Sequence, residues 1–260
     1  MENVMDILKR IREKQLTLAN SSGKVEETEK EYECLFCFDR GVIICGEGDK
    51  ARICKCSEQK RLENLFKSSQ ITPEFRQKTF DKFIISGRPK AVKDMFDCAR
   101  DYAEKFDELR NEERNWMVLL GEPGSGKTYL SIAVANELMK KGIPVLYFQH
   151  VEGMSEIKDL LKQDKTLSCK LEQMKKTALL IWDDLFWGKG SPRDFELEIT
   201  FEVLNYRYLN CLPTILNSNH TPSQLYEINK TIGSRIIERS KSHMVLIQGL
   251  ESNYRLIGNG

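Results

Sequence analysis

Trp116-Met-Val-Leu-Leu120 followed by Gly121-Glu-Pro-Gly-Ser-Gly126-Lys127-Thr128 is the stretch on which the fold of this chain turns. The five apolar residues read as a buried strand. Gly121 to Thr128 match G-x-x-x-x-G-K-[ST] without a deviation, and residues 127–141 continue in helical spacing. Strand, glycine-rich loop and helix, in that order, form the context in which this motif holds phosphate. The glycines let successive backbone amides converge on an anion without a Cβ in the way, and the helix N-terminus adds the positive end of its dipole. Gly121, Glu122, Pro123, Gly124, Ser125 and Gly126 are therefore expected to cradle the phosphates. Lys127 should reach the β- and γ-phosphates of a nucleotide and Thr128 should bind Mg²⁺, with Tyr129 beside them in the same site.

The pattern repeats outward from this loop. A charged helix is expected over 91–113, before the first strand. Further strands are expected at 144–148, 178–182, 213–217 and 244–248, separated by helical stretches at 155–175, 195–209 and 224–240. Short apolar strands alternating with helices predict an α/β fold, a mostly parallel sheet with helices on both faces. Ligands of such sheets bind beyond the carboxyl ends of the strands. The strand at 178–182 ends in Asp183-Asp184, with Asp183 lying 55 positions after Thr128. Asp183 is expected to share Mg²⁺ with Thr128, through the ion's water shell. Asp184 is placed to polarise the water that attacks the γ-phosphate. Phosphoryl transfer needs positioning and charge neutralisation more than covalent chemistry, and these groups supply both.

Toward the N-terminus the character changes. Val4, Ile7, Leu8, Ile11 and Leu18 have helical spacing, and 1–30 reads as a helix and a polar linker. Five of the eight cysteines then fall within residues 34–56. Cys34-Leu-Phe-Cys37 and Cys54-Lys-Cys56 form two short pairs with 16 residues between them. Such pairs present four thiolates to one tetrahedral Zn²⁺, a closed site with a structural role, and Cys45 is a spare that could replace one of the four. We assign 31–67 to this zinc module, including a basic helical exit with Lys55, Lys60, Arg61 and Lys67, and 68–90, with Pro73, Gly87 and Pro89, to a connector. Residues 91–260 form the nucleotide domain.

Composition bounds the rest. The 260 residues exceed one domain of about 150 and fall short of two. Forty basic side chains face 39 acidic ones, so nucleic-acid binding would need local patches rather than overall charge. No apolar run approaches the roughly 18 residues of a membrane span. The start lacks the basic head of a secretory signal, so a cytoplasmic protein without a membrane partner is expected.

Taken in order, the phosphate loop, Asp183-Asp184, Pro213-Thr-Ile-Leu-Asn-Ser-Asn219, Gly233-Ser-Arg-Ile-Ile-Glu-Arg239 and Glu251-Ser-Asn-Tyr-Arg255 resemble the DnaC/DnaI-like replicative helicase loaders, a branch of the AAA+ ATPases. The cysteine pairs, Ile71-Thr-Pro-Glu-Phe-Arg76 and Thr79-Phe-Asp-Lys-Phe83 look like the phage and prophage versions from Gram-positive hosts. The resemblance covers about residues 31–256. It implies an AAA+ core with a five-stranded parallel sheet and a reduced or absent helical lid, and it makes the nucleotide ATP. It implies that Asn219 acts as sensor 1, orienting the attacking water, and Arg255 as sensor 2. Arg239, with Arg235 one turn before it, falls in the region of the arginine finger that acts on ATP held by a neighbouring subunit, so self-association is implied too.

The implied activity is an ATPase that loads a hexameric replicative helicase onto single-stranded DNA. Many AAA+ proteins carry Glu where this chain has Asp184, so turnover is expected to be slow and partner-stimulated. An IstB-like transposition helper has nearly the same ATPase motifs and is the alternative; the cysteine module favours the loader. For DNA contact, Lys158, Lys162, Lys165, Lys170, Lys175 and Lys176 are one candidate surface and the zinc module with its basic exit another. Glu156, Asp159, Asp164 and Glu172 are interleaved with those lysines, which equally describes a solvated charged face.

Overall fold

In the cysteine-rich unit, strand β1 (Val42–Cys45) pairs antiparallel with β2 (Lys50–Ile53), and Val42 lies opposite Ile53. The computed structural model describes residues 34, 36–45, 50–161, 164–187 and 192–257. The helix expected over 4–18, the linker after it and Lys162 lie outside the described residues. The chain divides into a unit ending at Cys56 and a unit from Ser57 onward, a division inside the helix Lys55–Ser68.

In the larger unit the five apolar segments are strands of one sheet. They are β3 (Trp116–Gly121), β4 (Val145–Gln149), β5 (Leu179–Asp183), β6 (Thr214–Ser218) and β7 (Met244–Ile247). Their order is β4-β5-β6-β3-β7, and every neighbouring pair is parallel. Parallel strands need crossovers, and helices supply them here, so both faces of the sheet are covered. Side chains alternate along each strand between the two cores. Met117, Leu119, Leu179 and Ile181 enter one core, with Val92, Met95 and Ala99 of the helix Lys90–Glu104 and Leu130 and Val134 of the helix Lys127–Lys140. Trp116, Val118, Leu120, Leu180 and Trp182 enter the other, with Ile157, Met174, Val203 and Ile236.

Three expected helices are interrupted. The one expected over 91–113 ends at Glu104 and resumes only as the short turn Phe106–Leu109. The stretch expected over 155–175 starts at His150, directly after β4, and is two helices, His150–Leu160 and Asp164–Lys176. The stretch expected over 224–240 is Pro222–Ile228 and Lys230–Arg239. Asn229 between them is extended, and its side chain accepts a hydrogen bond from Ile232 N at 3.0 Å, capping the second helix. Helical spacing survives such a break, so periodicity alone does not reveal it.

Residues 68–90 are built against the core rather than extended away from it. They contain the 3₁₀ turns Phe75–Gln77 and Phe80–Lys82, and Phe75, Phe80, Phe83 and Ile85 pack on the first core. Asn136, 1% exposed on the helix Lys127–Lys140, donates to the carbonyls of Phe75 at 3.0 Å and Lys78 at 2.8 Å. After β7 the described chain makes the 3₁₀ turn Leu250–Ser252 and the helix Tyr254–Ile257. Among the described residues no helix is long and apolar enough to cross a membrane.

Candidate functional site

The strand order decides what meets what. β6 lies between β3, which leads into the phosphate loop, and β5, which ends at Asp183. The tips of three strands therefore converge, and Asn219 just after β6 stands between the loop and the acids.

The loop itself depends on glycine. Gly121 has φ +97°, and a Cβ there would lie 1.9 Å from the Ile247 carbonyl oxygen of β7. Gly126 has φ +108°, and its Cβ would meet the Phe83 ring at 2.8 Å. The loop is strapped to the chain's last segment. Glu122 N donates to Ile247 O at 2.9 Å and Tyr254 N to Gly124 O at 3.0 Å. Arg88 bridges the two, donating to Ser125 O at 3.1 Å and Ser252 O at 2.9 Å.

Lys127 is 5% exposed. Its ammonium donates to Gly121 O at 2.8 Å, Glu122 O at 2.9 Å and Asn219 Oδ1 at 2.9 Å. Burial pulls its pKa down to about 8, against the attraction of Asp184 and Asp183. Thr128 Oγ1 donates to the Asp183 carboxylate, 3.0 Å from each oxygen. Asp183 is 2% exposed, yet polar side chains reach it from three elements. Tyr147 OH donates to it at 2.8 Å and Asn217 Nδ2 at 2.6 Å, while Ser131 Oγ holds Asn217 Oδ1 at 2.9 Å.

Asp184 adopts φ +53°, an uncommon conformation for a residue other than glycine. Burial, reinforced by the charge of Asp183, holds its carboxyl above the usual range. The turn it opens is pinned to the β6 tip. Leu185 N donates to Asn217 O at 2.8 Å, Ser218 Oγ to Leu185 O at 2.7 Å, and His220 Nε2 meets Phe186 O at 2.9 Å. Four consecutive residues, Asn217 to His220, thus fix Asp183, the turn after it and Lys127.

A cleft of about 360 Å³ opens over this constellation. Pro123, Gly124, Gly126, Lys127, Thr128, Tyr129, Asp184, Asn219 and Arg255 line it, all singled out in the sequence. So do Lys78, Phe83 and Arg88, from the segment read as a connector. Arg239 is elsewhere. It is 9% exposed, its guanidinium donates to Glu113 O and to Tyr208 O at 2.7 Å, and it stacks 4.4 Å from the Tyr208 ring. Arg235 is half-buried over the rings of Phe201 at 5.2 Å and Tyr208 at 5.1 Å.

The second cluster is in the N-terminal unit. The Sγ atoms of Cys34, Cys37, Cys54 and Cys56 all lie within 4.8 Å of one another, and Cys37 and Cys54 are each 3% exposed. The backbone amides of Cys37 and Phe36 draw the Cys34 thiol down to about 7, toward the thiolate a metal requires. Gly41 N points at Cys37 Sγ from 3.4 Å, an amide-to-sulfur bond that orients the thiolate. Four sulfurs so gathered suit one tetrahedral Zn²⁺. Of the basic stretch 158–176, Lys170 pairs with Glu156, Lys175 with Glu202 at 2.5 Å and Lys176 with Glu172 at 2.6 Å. The side chain of Lys165 is outside the described residues.

Sequence reasoning missed Tyr147, Asn217, Ser131, Lys78 and Arg88. Tyr147 and Asn217 matter only because β4, β5 and β6 are neighbours, Ser131 because the helix Lys127–Lys140 packs on β6, and the last two lie where no periodicity marks them.

The strand order, the phosphate loop and the acidic tip of β5 together define an AAA+ nucleotide-binding domain. More closely, the chain belongs to the family of IstB-like ATP binding proteins, whose family model matches residues 57–257. The phage-like element PBSX protein XkdC of Bacillus subtilis (strain 168) is 36% identical over 99% of this chain and 97% of its own length. The replicative helicase loader DnaI of the same organism is 32% identical over 66% of this chain, which spans about half, 53%, of that protein. A crystal structure of DnaI matches with a TM-score of 0.53 at 27% identity, covering 74% of this chain and 99% of that one.

Proposed function

We propose that this protein is an ATP-dependent loader that binds a hexameric replicative helicase and helps place it on single-stranded DNA. The observation that carries the reading is the likeness to the helicase loader DnaI in both sequence and fold. The cleft supports an ATPase. Lys127, freed from its carbonyls, neutralises the β- and γ-phosphates, and the loop amides hold the chain of oxygens. Thr128 and Asp183, already in contact, are the residues that would hold Mg²⁺, which supplies further neutralisation when bound. Asp184, with its raised affinity for a proton, sits in the cleft where a base or water-orienting group is needed, and Asn219 beside it helps aim the water. Arg255 adds positive charge from the last segment. Arg235 or Arg239 acts on ATP held by a neighbouring copy.

The cysteine cluster is the zinc module of this reading and the docking piece for the helicase. ATP occupancy gates the assembly, and slow hydrolysis resets it. The family match over 57–257 favours a second reading, an IstB-like helper of transposition whose partner is a transposase.

A loading assay tests the proposal. The host's hexameric helicase is presented with closed single-stranded circles, with and without this protein and ATP-Mg²⁺. Helicase on the circles should rise several-fold only with both, and Lys127→Ala should abolish the rise. An unchanged helicase occupancy with the wild-type protein would contradict the loader reading.

A further inference from the structure

Lys78 belongs to no phosphate motif, yet its side chain lines the same cleft as Lys127, Thr128 and Tyr129. Its ammonium stands 3.9 Å from the centre of the Phe75 ring and 5.7 Å from that of Tyr129, so two aromatic faces restrict where it can go. Its backbone is equally fixed, because Lys78 N donates to Phe75 O at 3.0 Å and Lys78 O accepts from Asn136 at 2.8 Å. Among the described residues no carboxylate pairs with it, although Asp183 and Glu74 attract it from a distance. A partly buried ammonium without an anion is costly, and it becomes favourable when an anion arrives. The cleft is built for one. Among the described residues its lining holds Lys78, Lys82, Arg88, Lys127 and Arg255 against a single carboxylate, Asp184. Among these cations Arg88 is spent on two carbonyls and Lys127 on three oxygens, whereas among the described residues Lys78 meets only ring faces.

We propose that Lys78 is a direct ligand of the phosphate chain of the bound nucleotide, supplied from outside the phosphate loop. The inference rests on the reading of this cleft as a nucleotide site. It makes the segment 68–90 part of that site, so nucleotide affinity depends on how Asn136 and the Phe75–Lys82 turns are held.

The test is equilibrium binding of a fluorescent ATP analogue to the full chain, together with thermal melts without nucleotide. Lys78→Met keeps the apolar stem on Phe75 and removes the charge. It should weaken binding about tenfold, as expected for a charge-assisted bond, while the nucleotide-free melting temperature holds or rises. Lys78→Arg should recover most of the affinity. Wild-type affinity in Lys78→Met would overturn the proposal. So would equal loss of affinity in Met and Arg variants with lowered nucleotide-free melting temperatures, which marks a packing role. Lys127→Ala is the reference: a wild-type protein as inert as that variant would instead sink the nucleotide-site reading itself.

Discussion

Lys127 carries a measurable cost in the absence of an anion. Its ammonium is buried, and its pKa falls from 10.5 to about 8. A base whose folded pKa lies below its unfolded value subtracts stability in full below the folded value. That cost is relieved as pH rises from about 8 toward 10.5, because the native state gives up its proton first. In urea unfolding of the nucleotide-free protein, the wild type should therefore gain on Lys127→Met between pH 7 and 9.5. The gain should be on the order of 2 kcal/mol. A difference between the two proteins that stays constant over that range would mean that the three oxygens around Lys127 already compensate its charge. Arg239 is likewise committed to its partners. Its guanidinium satisfies Glu113 O and Tyr208 O, so an alanine there orphans two carbonyls. Loss of turnover in such a variant reports stability as well as catalysis. Arg235 lies over Phe201 and Tyr208, and among the described residues its Nη1 is buried without a hydrogen-bond partner, so on the proposed reading it is the residue with fewer bonds to lose on turning toward a neighbouring copy.

At the scale of elements, Arg207 on the helix Asp194–Leu209 ties that helix to the sheet. It is fully buried, and it donates to Thr214 Oγ1 at 2.9 Å and to the carbonyls of Met174, Lys175, Thr177 and Pro213. These are the end of the helix Asp164–Lys176 and the entry to β6, so one side chain closes the ends of three elements. Arg207→Met should cost about 1–3 kcal/mol in urea unfolding, since the acceptors remain buried without their donor. A loss below about 1 kcal/mol would mean that water replaces the guanidinium there. Nothing in the sequence marks Arg207, because an arginine on a helix reads as a solvated face. The strands are marked, because five short apolar runs need no context to be read. Helix interruptions at Lys105 and Asn229 are not, because 3.6-residue spacing continues across them. The phosphate loop and Asp183 are legible because both are local motifs. The ring of groups around Asp183 is not, because Tyr147 and Asn217 become its neighbours only through strand order. Lys78 and Arg88 lie in a stretch with prolines, a glycine and no repeat, which reads as a connector until the packing of Phe75, Phe80 and Phe83 is known.

For the whole molecule, the loader reading divides the work between the two units. The unit from Ser57 carries the ATP site, and the N-terminal unit carries four gathered thiols that suit one Zn²⁺. The most direct test of the loader assignment is light scattering on a sizing column. The protein is run with the host's hexameric replicative helicase, with and without ATP-Mg²⁺, beside a Cys34→Ser, Cys37→Ser variant whose bound zinc is measured. The wild type should co-elute with the helicase as an assembly of defined mass. The double variant should hold well under one zinc per chain, still bind ATP and no longer join the helicase. An absence of any complex between the wild type and the helicase, in either nucleotide condition, would contradict the loader assignment and turn the search to a transposase.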